Sequence, residues 1–241
     1  MQQISKKMHI SKAQIKLIRS LQHKKYRDEL GLFVAEGKKC IDELKKGFEL
    51  VLEVTSNNAT ETEIAQMSGL KTPQGTIAVF KKSVISNQPS GITLALDGVQ
   101  DPGNLGTIIR TCDWFGVTHI VCSNDTADCY NPKVVQATMG ALTRVKLTYT
   151  NLPKWLEQQK SPIYGTLLDG KNMYNELPSI SGQQSAVIVM GNEGNGISKE
   201  VRKLITHPIL IPSYPENAET SESLNVAIAT AIVLAEFRRL G

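Results

Sequence analysis

The sequence predicts an α/β protein: a mostly parallel sheet with helices on both faces, joined to a small α/β unit at the N-terminus. Three observations carry this. From residue 92 onward, short apolar runs alternate with stretches of helical periodicity, the pattern of strands linked by crossover helices. Two of those runs, 92–96 and 186–190, end in glycine-containing turns that open into helices, the geometry at which α/β proteins keep their ligands. The segment KKSVISNQPSG (81–91) has the Lys, Ser, Asn, Pro and Gly content of a linker. Domains are therefore expected at 1–80 and 92–241, with 81–91 between them.

The elements follow in order. Ile15, Ile18, Leu21 and Leu30 recur near helical spacing among lysines, which predicts a helix over 11–30. A strand at 32–35, a helix at 37–46 stopped by Gly47, a strand at 48–54, a short helix at 60–68 and a strand at 76–80 complete the N-terminal unit. In the second part strands are expected at 92–97, 119–122, 145–148, 163–168, 186–190 and 208–211. Helices are expected near 104–116, 132–141, 152–159, 198–205 and 222–239. The last contains SLNVAIATAIVLAEFRRL and is apolar on nearly all sides as far as Glu236. Such a helix needs cover from the protein or from a partner.

No stretch is apolar and long enough to span a bilayer, and MQQISKKMHI lacks the apolar core of a signal peptide. A cytoplasmic protein with no membrane partner is expected. Cys40, Cys112, Cys122 and Cys129 show no C-x-x-C spacing, which points to reduced thiols and no metal site. Charge is uneven. Residues 1–27 carry eight Lys/Arg and no acid, and residues 1–90 carry 15 basic against 9 acidic groups. Residues 91–241 carry 12 against 14. A basic end on a near-neutral remainder fits a nucleic-acid surface, or equally a solvated helix face. Lys16, Arg19, Lys24, Lys25 and Arg27 are the candidate contacts.

Three motifs carry polar chemistry. The first, DPGNLGTIIRT (101–111), delivers the Asn104 amide and the Arg110 guanidinium to a strand-to-helix turn and the helix behind it. An arginine near helix N-terminal amides suggests an anionic ligand. The second, MGNEGNGIS (190–198), orders its glycines G-x-x-G-x-G at Gly191, Gly194 and Gly196, which is not the dinucleotide fingerprint G-x-G-x-x-G. Glycines let a ligand approach the backbone, while Glu193 in the same turn would repel a bare phosphate. The third runs from Ile209 through Ile211-Pro212 and a polar loop to Ser223-Leu224-Asn225 at the head of the last helix. Ser221 or Ser223 is suited to cap that helix. Asn225, just inside an apolar helix, needs a hydrogen-bond partner.

In order and spacing these motifs, over roughly residues 90–240, resemble the SpoU family of RNA ribose 2′-O-methyltransferases in the SPOUT superfamily. The segment IKLIRSLQHKKYRDELGLFVAEG (15–37) is similar to that family's N-terminal substrate-binding domain, an L30e-like RNA-binding fold. The resemblance implies a deep trefoil knot at the C-terminus, S-adenosyl-L-methionine as cofactor, a homodimer, and an RNA substrate. Ribosomal RNA is favoured over transfer RNA because of the extra N-terminal domain. Carried over by motif, the cofactor contacts are Gly191, Ile211 and Leu224, with Thr166 and Leu167 from GTLLDG (165–170). Asn104, Arg110, Glu193, Ser223 and Asn225 match the family's polar site positions.

The family often assigns the position of Arg110 the role of base. A guanidinium stays protonated in proteins, so stabilising a developing alkoxide or holding a phosphate suits it better. Asn104 and Asn225 are expected to orient loops or Arg110. Glu193 is expected to orient Arg110 or a loop amide, against the simpler alternative of a plain Glu193–Arg110 ion pair. The loop SYPENAETSE (213–222) is longer than the family pattern and carries Glu216, Glu219 and Glu222, while Ser213 stands where a methionine is common. That loop offers a lid or a substrate-tuning element. Two competing readings are a non-catalytic RNA-binding protein on the same fold and an ordinary doubly wound nucleotide-binding enzyme. The intact polar residues argue against the first, and the absent G-x-G-x-x-G argues against the second.

Overall fold

The computed structural model describes residues 9–82, 91–177, 185–215, 221 and 223–240. In chain order the elements begin α1 (Lys12–Ser20), α2 (Lys24–Leu30), β1 (Leu32–Glu36), α3 (Lys38–Leu44), β2 (Leu50–Thr55), α4 (Glu61–Met67) and β3 (Thr76–Lys81). They continue with β4 (Ile92–Leu96), α5 (Pro102–Trp114), β5 (His119–Ser123), α6 (Pro132–Thr138), β6 (Lys146–Thr150) and α7 (Leu152–Glu157). The last are β7 (Ile163–Asn172), α8 (Met173–Glu176), β8 (Ala186–Met190), α9 (Lys199–Arg202), β9 (His207–Leu210) and α10 (Val226–Leu240). They form two compact units, Met1–Val84 with Asp128–Thr143, and Ile85–Ala127 with Arg144–Gly241. The linker expected at 81–91 and the loop at 213–222 fall mostly outside the described residues.

In the first unit, the single helix expected over 11–30 is two. Ser11 opens α1 with a capping box to Gln14. The helix then ends at Leu21, because Arg27 turns back on it: Nη1 donates to the Leu21 and Gln22 carbonyls at 2.8 and 2.9 Å. Carbonyls orphaned at a helix C-terminus are thereby satisfied, and the chain restarts as α2. Strands β1, β3 and β2 form an antiparallel sheet in that order. One set of apolar side chains, including Ile18, Leu21, Val34, Val54, Ile64, Met67 and Ile77, makes a core with α1 and α4. Phe33 stacks on Phe80 at 5.6 Å between ring centroids and meets Phe48 at 5.0 Å and Tyr130 at 4.8 Å. Tyr130 belongs to the segment Asp128–Thr143, which contains α6 and packs on β1.

The second unit is a six-stranded sheet in the order β6-β5-β4-β8-β7-β9, and every pairing is parallel. Alternation sorts its side chains. Ala95, Val121, Ile163, Val187 and Val189 pack with Leu152, Leu156 and Val201 of α7 and α9. The intervening Leu94, Leu96, Ile120 and Ile188 are just as buried, so these strands are covered on both faces and read as continuous apolar runs. On the second face α10 packs on α5, and the Phe237 ring meets Tyr164 of β7 at 5.0 Å. Arg238 fixes α10 further by donating to the Phe115 and Gly116 carbonyls at 2.6 and 3.1 Å.

The strand order positions the site. Strand β4 lies between β5 and β8, and the chain leaves β4 toward β5. The loops after β4 and β8 therefore part at the C-terminal edge of the sheet, where a crevice opens in folds of this kind. Strand β7 is interrupted nearby: Thr166 and Lys171 both lie opposite Ile209, and 167–170 bulge between them. Gly170 is obligatory at that crossing, since a Cβ there would sit 2.5 Å from the Ile209 carbonyl carbon.

Candidate active site

Helix α5 begins where the loop after β4 meets Asp101. The Asp101 carboxylate accepts the Asn104 N–H at 2.8 Å, and Pro102 occupies the first helical position. This places Asn104 in the first turn of α5, at the C-terminal end of β4. The loop after β8 is built differently. Asn192 and Gly196 exchange both backbone hydrogen bonds, at 2.9 and 3.0 Å. A side chain on Gly191 would collide with Gly196 and Ile197, whose backbone lies 2.3–2.6 Å from a Cβ placed there. The turn is thus closed by this backbone pair and by Asn192 Oδ1, which accepts two of its amides, and it presents Glu193.

The two loops are stitched together. Asp97 N–H donates to the Met190 carbonyl at 2.9 Å, and Ser198 N–H donates to Asp97 Oδ2 at 2.7 Å. Asn192 Nδ2 donates to the Gly98 carbonyl at 2.7 Å. Glu193 accepts from the Gln100 and Asp101 amides at 3.2 Å each and from Asn104 Nδ2 at 3.1 Å. Partial burial works to raise the Glu193 pKa. Hydrogen bonds from Asn104, its own backbone, Gln100 and Asp101 outweigh it and hold the carboxyl below its ordinary value.

The third motif joins through Asn225. Its Nδ2 donates to Asn104 Oδ1 at 2.9 Å, and its Oδ1 accepts the Ala227 and Ile228 amides at 2.9 and 3.3 Å. Asn225, rather than Ser221 or Ser223, therefore caps α10. Asn104 is held from both ends, and the order Glu193–Asn104–Asn225 forms one hydrogen-bonded chain across three loops.

Other expected residues stand apart from that chain. Arg110 lies on the exposed side of α5 and makes no hydrogen bond or ion pair with the described residues. The Glu193–Arg110 ion pair weighed from the sequence is absent among them, because backbone amides and Asn104 take that carboxylate. Ser223 is exposed before α10. Thr166 and Leu167 lie in β7 where its pairing breaks into the bulge, Gly191 and Ile211 directly follow the adjacent strands β8 and β9, and Leu224 precedes α10. Apolar side chains are open there, with Leu168 76% and Leu224 49% exposed. Sequence reasoning missed Asp97, Asp101 and Asn192. An Asn two residues ahead of a glycine is an Asx-turn signal and marked the last of these.

The basic residues of the first unit divide. Lys16 and Arg19 are exposed on α1, Lys24 pairs with Asp28 at 2.6 Å in solvent, and Lys25 is exposed beside the Tyr26 ring. Arg27 corrects the expectation of a nucleic-acid contact. It is only 2% exposed, and its Nε and Nη2 donate to Asp128 Oδ2 at 3.0 and 2.7 Å. A buried charge survives when paired and hydrogen-bonded, and all three guanidinium nitrogens of Arg27 donate inside the unit.

Fold and site define a class: a parallel α/β domain whose hydrogen-bonded polar chain spans three loops at the C-terminal edge of the sheet, carried with a small antiparallel α/β unit. The comparisons make it specific. The model of the SpoU rRNA Methylase family matches residues 91–235, and that of the MRM3-like substrate binding domain matches residues 12–82. The chain belongs to the SpoU rRNA methylase family. It is 29% identical over 239 residues to the Bacillus subtilis 23S rRNA (guanosine(2553)-2′-O)-methyltransferase RlmP, covering 91% of this chain and 94% of that one. A TrmH-family protein from Porphyromonas gingivalis superposes with a TM-score of 0.86 at 39% identity, over 96% of this chain and 99% of that one. An AdoMet-bound rRNA methyltransferase from Sinorhizobium meliloti gives 0.82 at 31% identity, over 96% of both chains.

Proposed function

We propose that this chain is a ribosomal RNA methyltransferase that moves a methyl group from S-adenosyl-L-methionine to a ribose 2′-hydroxyl. The observation that carries the reading is the hydrogen-bonded chain Glu193–Asn104–Asn225, which brings the family's three motifs to one place. The residues at hand fit the cofactor. Gly191 lets the Gly196 and Ile197 backbone close against it and so fixes the turn's shape, and Leu167, Ile211 and Leu224 supply apolar contact beside Thr166. When bound, the cofactor's sulfonium supplies an already activated methyl group.

The chain's own residues then have two tasks: to hold the 2′-oxygen in line and to manage its proton. Glu193 is an ionised acceptor already occupied by three donors, so it orients the loops. Asn104 and Asn225 have their facing amide groups committed to each other and to Glu193. Arg110 retains an uncommitted guanidinium, suited to the developing alkoxide or a neighbouring phosphate. Exposed Lys16, Arg19 and Lys25 are the proposed phosphate contacts of the first unit. Ribosomal RNA as substrate would place the work in the cytoplasm.

A homodimer is part of the same reading. Ile228 is 52% exposed on α10, an apolar group that a second copy would cover. So is the C-terminal knot, which the close passage of Gly170 and Ile209 supports. The test is direct. An unmodified 23S rRNA transcript is incubated with tritiated cofactor and mapped by alkaline hydrolysis, which a 2′-O-methyl group blocks at its own position. One protected ribose is expected. Label found only on bases, or no calorimetric binding of S-adenosylhomocysteine at millimolar concentration, would overturn the proposal.

A further inference from the structure

We propose that Asn192 is a positioning residue that couples the cofactor turn to the substrate side of the site, with the two ends of its side-chain amide serving different loops. Its Oδ1 accepts the Gly194 and Asn195 amides at 2.9 and 3.0 Å and so shapes the turn that contains Gly191. Its Nδ2 crosses to the loop after β4 and donates to the Gly98 carbonyl at 2.7 Å. Gly98 is itself fixed. Its φ is +75°, and its N–H donates to Ser123 Oγ at 2.8 Å. Asn192 therefore grips a point that does not yield.

The neighbouring residue makes this consequential. Glu193 reaches Gln100, Asp101 and Asn104 through bonds of 3.1–3.2 Å, longer than the Asn192–Gly98 bond. Of the short ties between the loops, Ser198 N–H to Asp97 Oδ2 at 2.7 Å holds their base, and the Asn192–Gly98 bond is the one next to Glu193, so the longer Glu193 bonds form within the separation it sets. Without Nδ2, the turn keeps its shape through Oδ1 and the backbone pair with Gly196. What is lost is the registration of Glu193 on Asn104, and through Asn104 on Asn225. The Asn192 side chain hydrogen-bonds Gly98, Gly194 and Asn195 and neither Arg110 nor the Asn104 amide, so it acts through Glu193.

The turnover and cofactor-binding arms of the test rest on the function proposed above; the titration arm does not. Asn192→Ser keeps a hydroxyl acceptor for the turn amides but is too short to reach Gly98. In this variant S-adenosylhomocysteine should bind within about threefold of wild type, since the turn amides keep their acceptor. Turnover on the 23S transcript at saturating cofactor should fall at least about tenfold, since misplacement by about 1 Å can cost about 10²-fold. The Glu193 carboxyl, followed by ¹³C NMR, should titrate at higher pH than in wild type. Asn192→Ala should lose cofactor affinity as well, and thermal unfolding reports whether either variant folds. An unmoved Glu193 titration in Asn192→Ser overturns the proposal. So does an equal loss of affinity and turnover in that variant, which would make Asn192 a part of the cofactor turn alone. If wild type transfers no methyl group, the proposed function fails, while the titration arm still decides this inference.

Discussion

Asn225 Nδ2 donates to Asn104 Oδ1 at 2.9 Å across 121 residues of sequence, and the same Asn225 caps α10 through its other end. One side chain thus sets the start of the C-terminal helix and the orientation of the Asn104 amide. Since Asn104 Nδ2 in turn donates to Glu193, the amides of both asparagines are oriented by their partners.

The two duties of Asn225 are separable. Asn225→Asp keeps the cap acceptor, and Asp caps as well as Asn, but it has no donor for Asn104. Urea unfolding should change by no more than about 0.5 kcal/mol, while methyl transfer falls at least about tenfold. Asn225→Ala should cost about 1 kcal/mol of stability in addition. If the Asp variant turns over normally, the cap alone matters.

The carboxyl of Glu193 lies below its ordinary value when folded. A depressed carboxylate stabilises the folded state above its unfolded pKa and loses that contribution as pH falls through the folded one. The loop junction should therefore be unaltered at neutral pH and open only below the usual glutamate range. Amide chemical shifts of Gln100 and Asp101, followed against pH, should report that transition. Glu193→Gln should abolish it, and a transition at neutral pH would contradict the assignment.

Arg110 is exposed and makes no hydrogen bond or ion pair with the described residues. Arg110→Ala should leave the unfolding midpoint nearly unchanged, as exposed substitutions do, and S-adenosylhomocysteine affinity within about twofold. Turnover should fall by about 10² or more if Arg110 stabilises charge developing on oxygen. Parallel loss of affinity and turnover would place it in the cofactor site.

Buried and exposed basic residues of the first unit should respond in opposite ways. Arg27→Ala removes one partner of a buried pair and should destabilise by about 3–5 kcal/mol. Replacing Lys16, Arg19 and Lys25 together by Ala should leave stability almost intact. It should lower the slope of log affinity for RNA against log salt by about 2–3. An unchanged slope would make them a solvated helix face.

Much of the fold was legible because its signals are local. The apolar runs that became β4, β5 and β8 and the periodic stretches that became α5 and α10 identify themselves by spacing and by burial on both faces. The break between α1 and α2 was not legible, since Leu21, Gln22 and His23 carry no helix-breaking residue. It depends on Arg27 returning to the Leu21 and Gln22 carbonyls. Nor was the association of Asp128–Thr143 with the first unit, which rests on Tyr130 meeting Phe33 and on Asp128 meeting Arg27.

The sequence by itself determined the alternation of strand and helix, the three polar loops and the residue types placed in them, because each is written within a few neighbouring residues. Only the tertiary structure decided which polar atoms meet. Strand β4 lies beside β8 through packing of the whole sheet, and that adjacency turns Asn104, Asn192, Glu193 and Asn225 into one network. A lysine or arginine in a helical run looks the same whether it faces water or a carboxylate a hundred residues away, so Arg27 could be separated from Lys25 only by the fold.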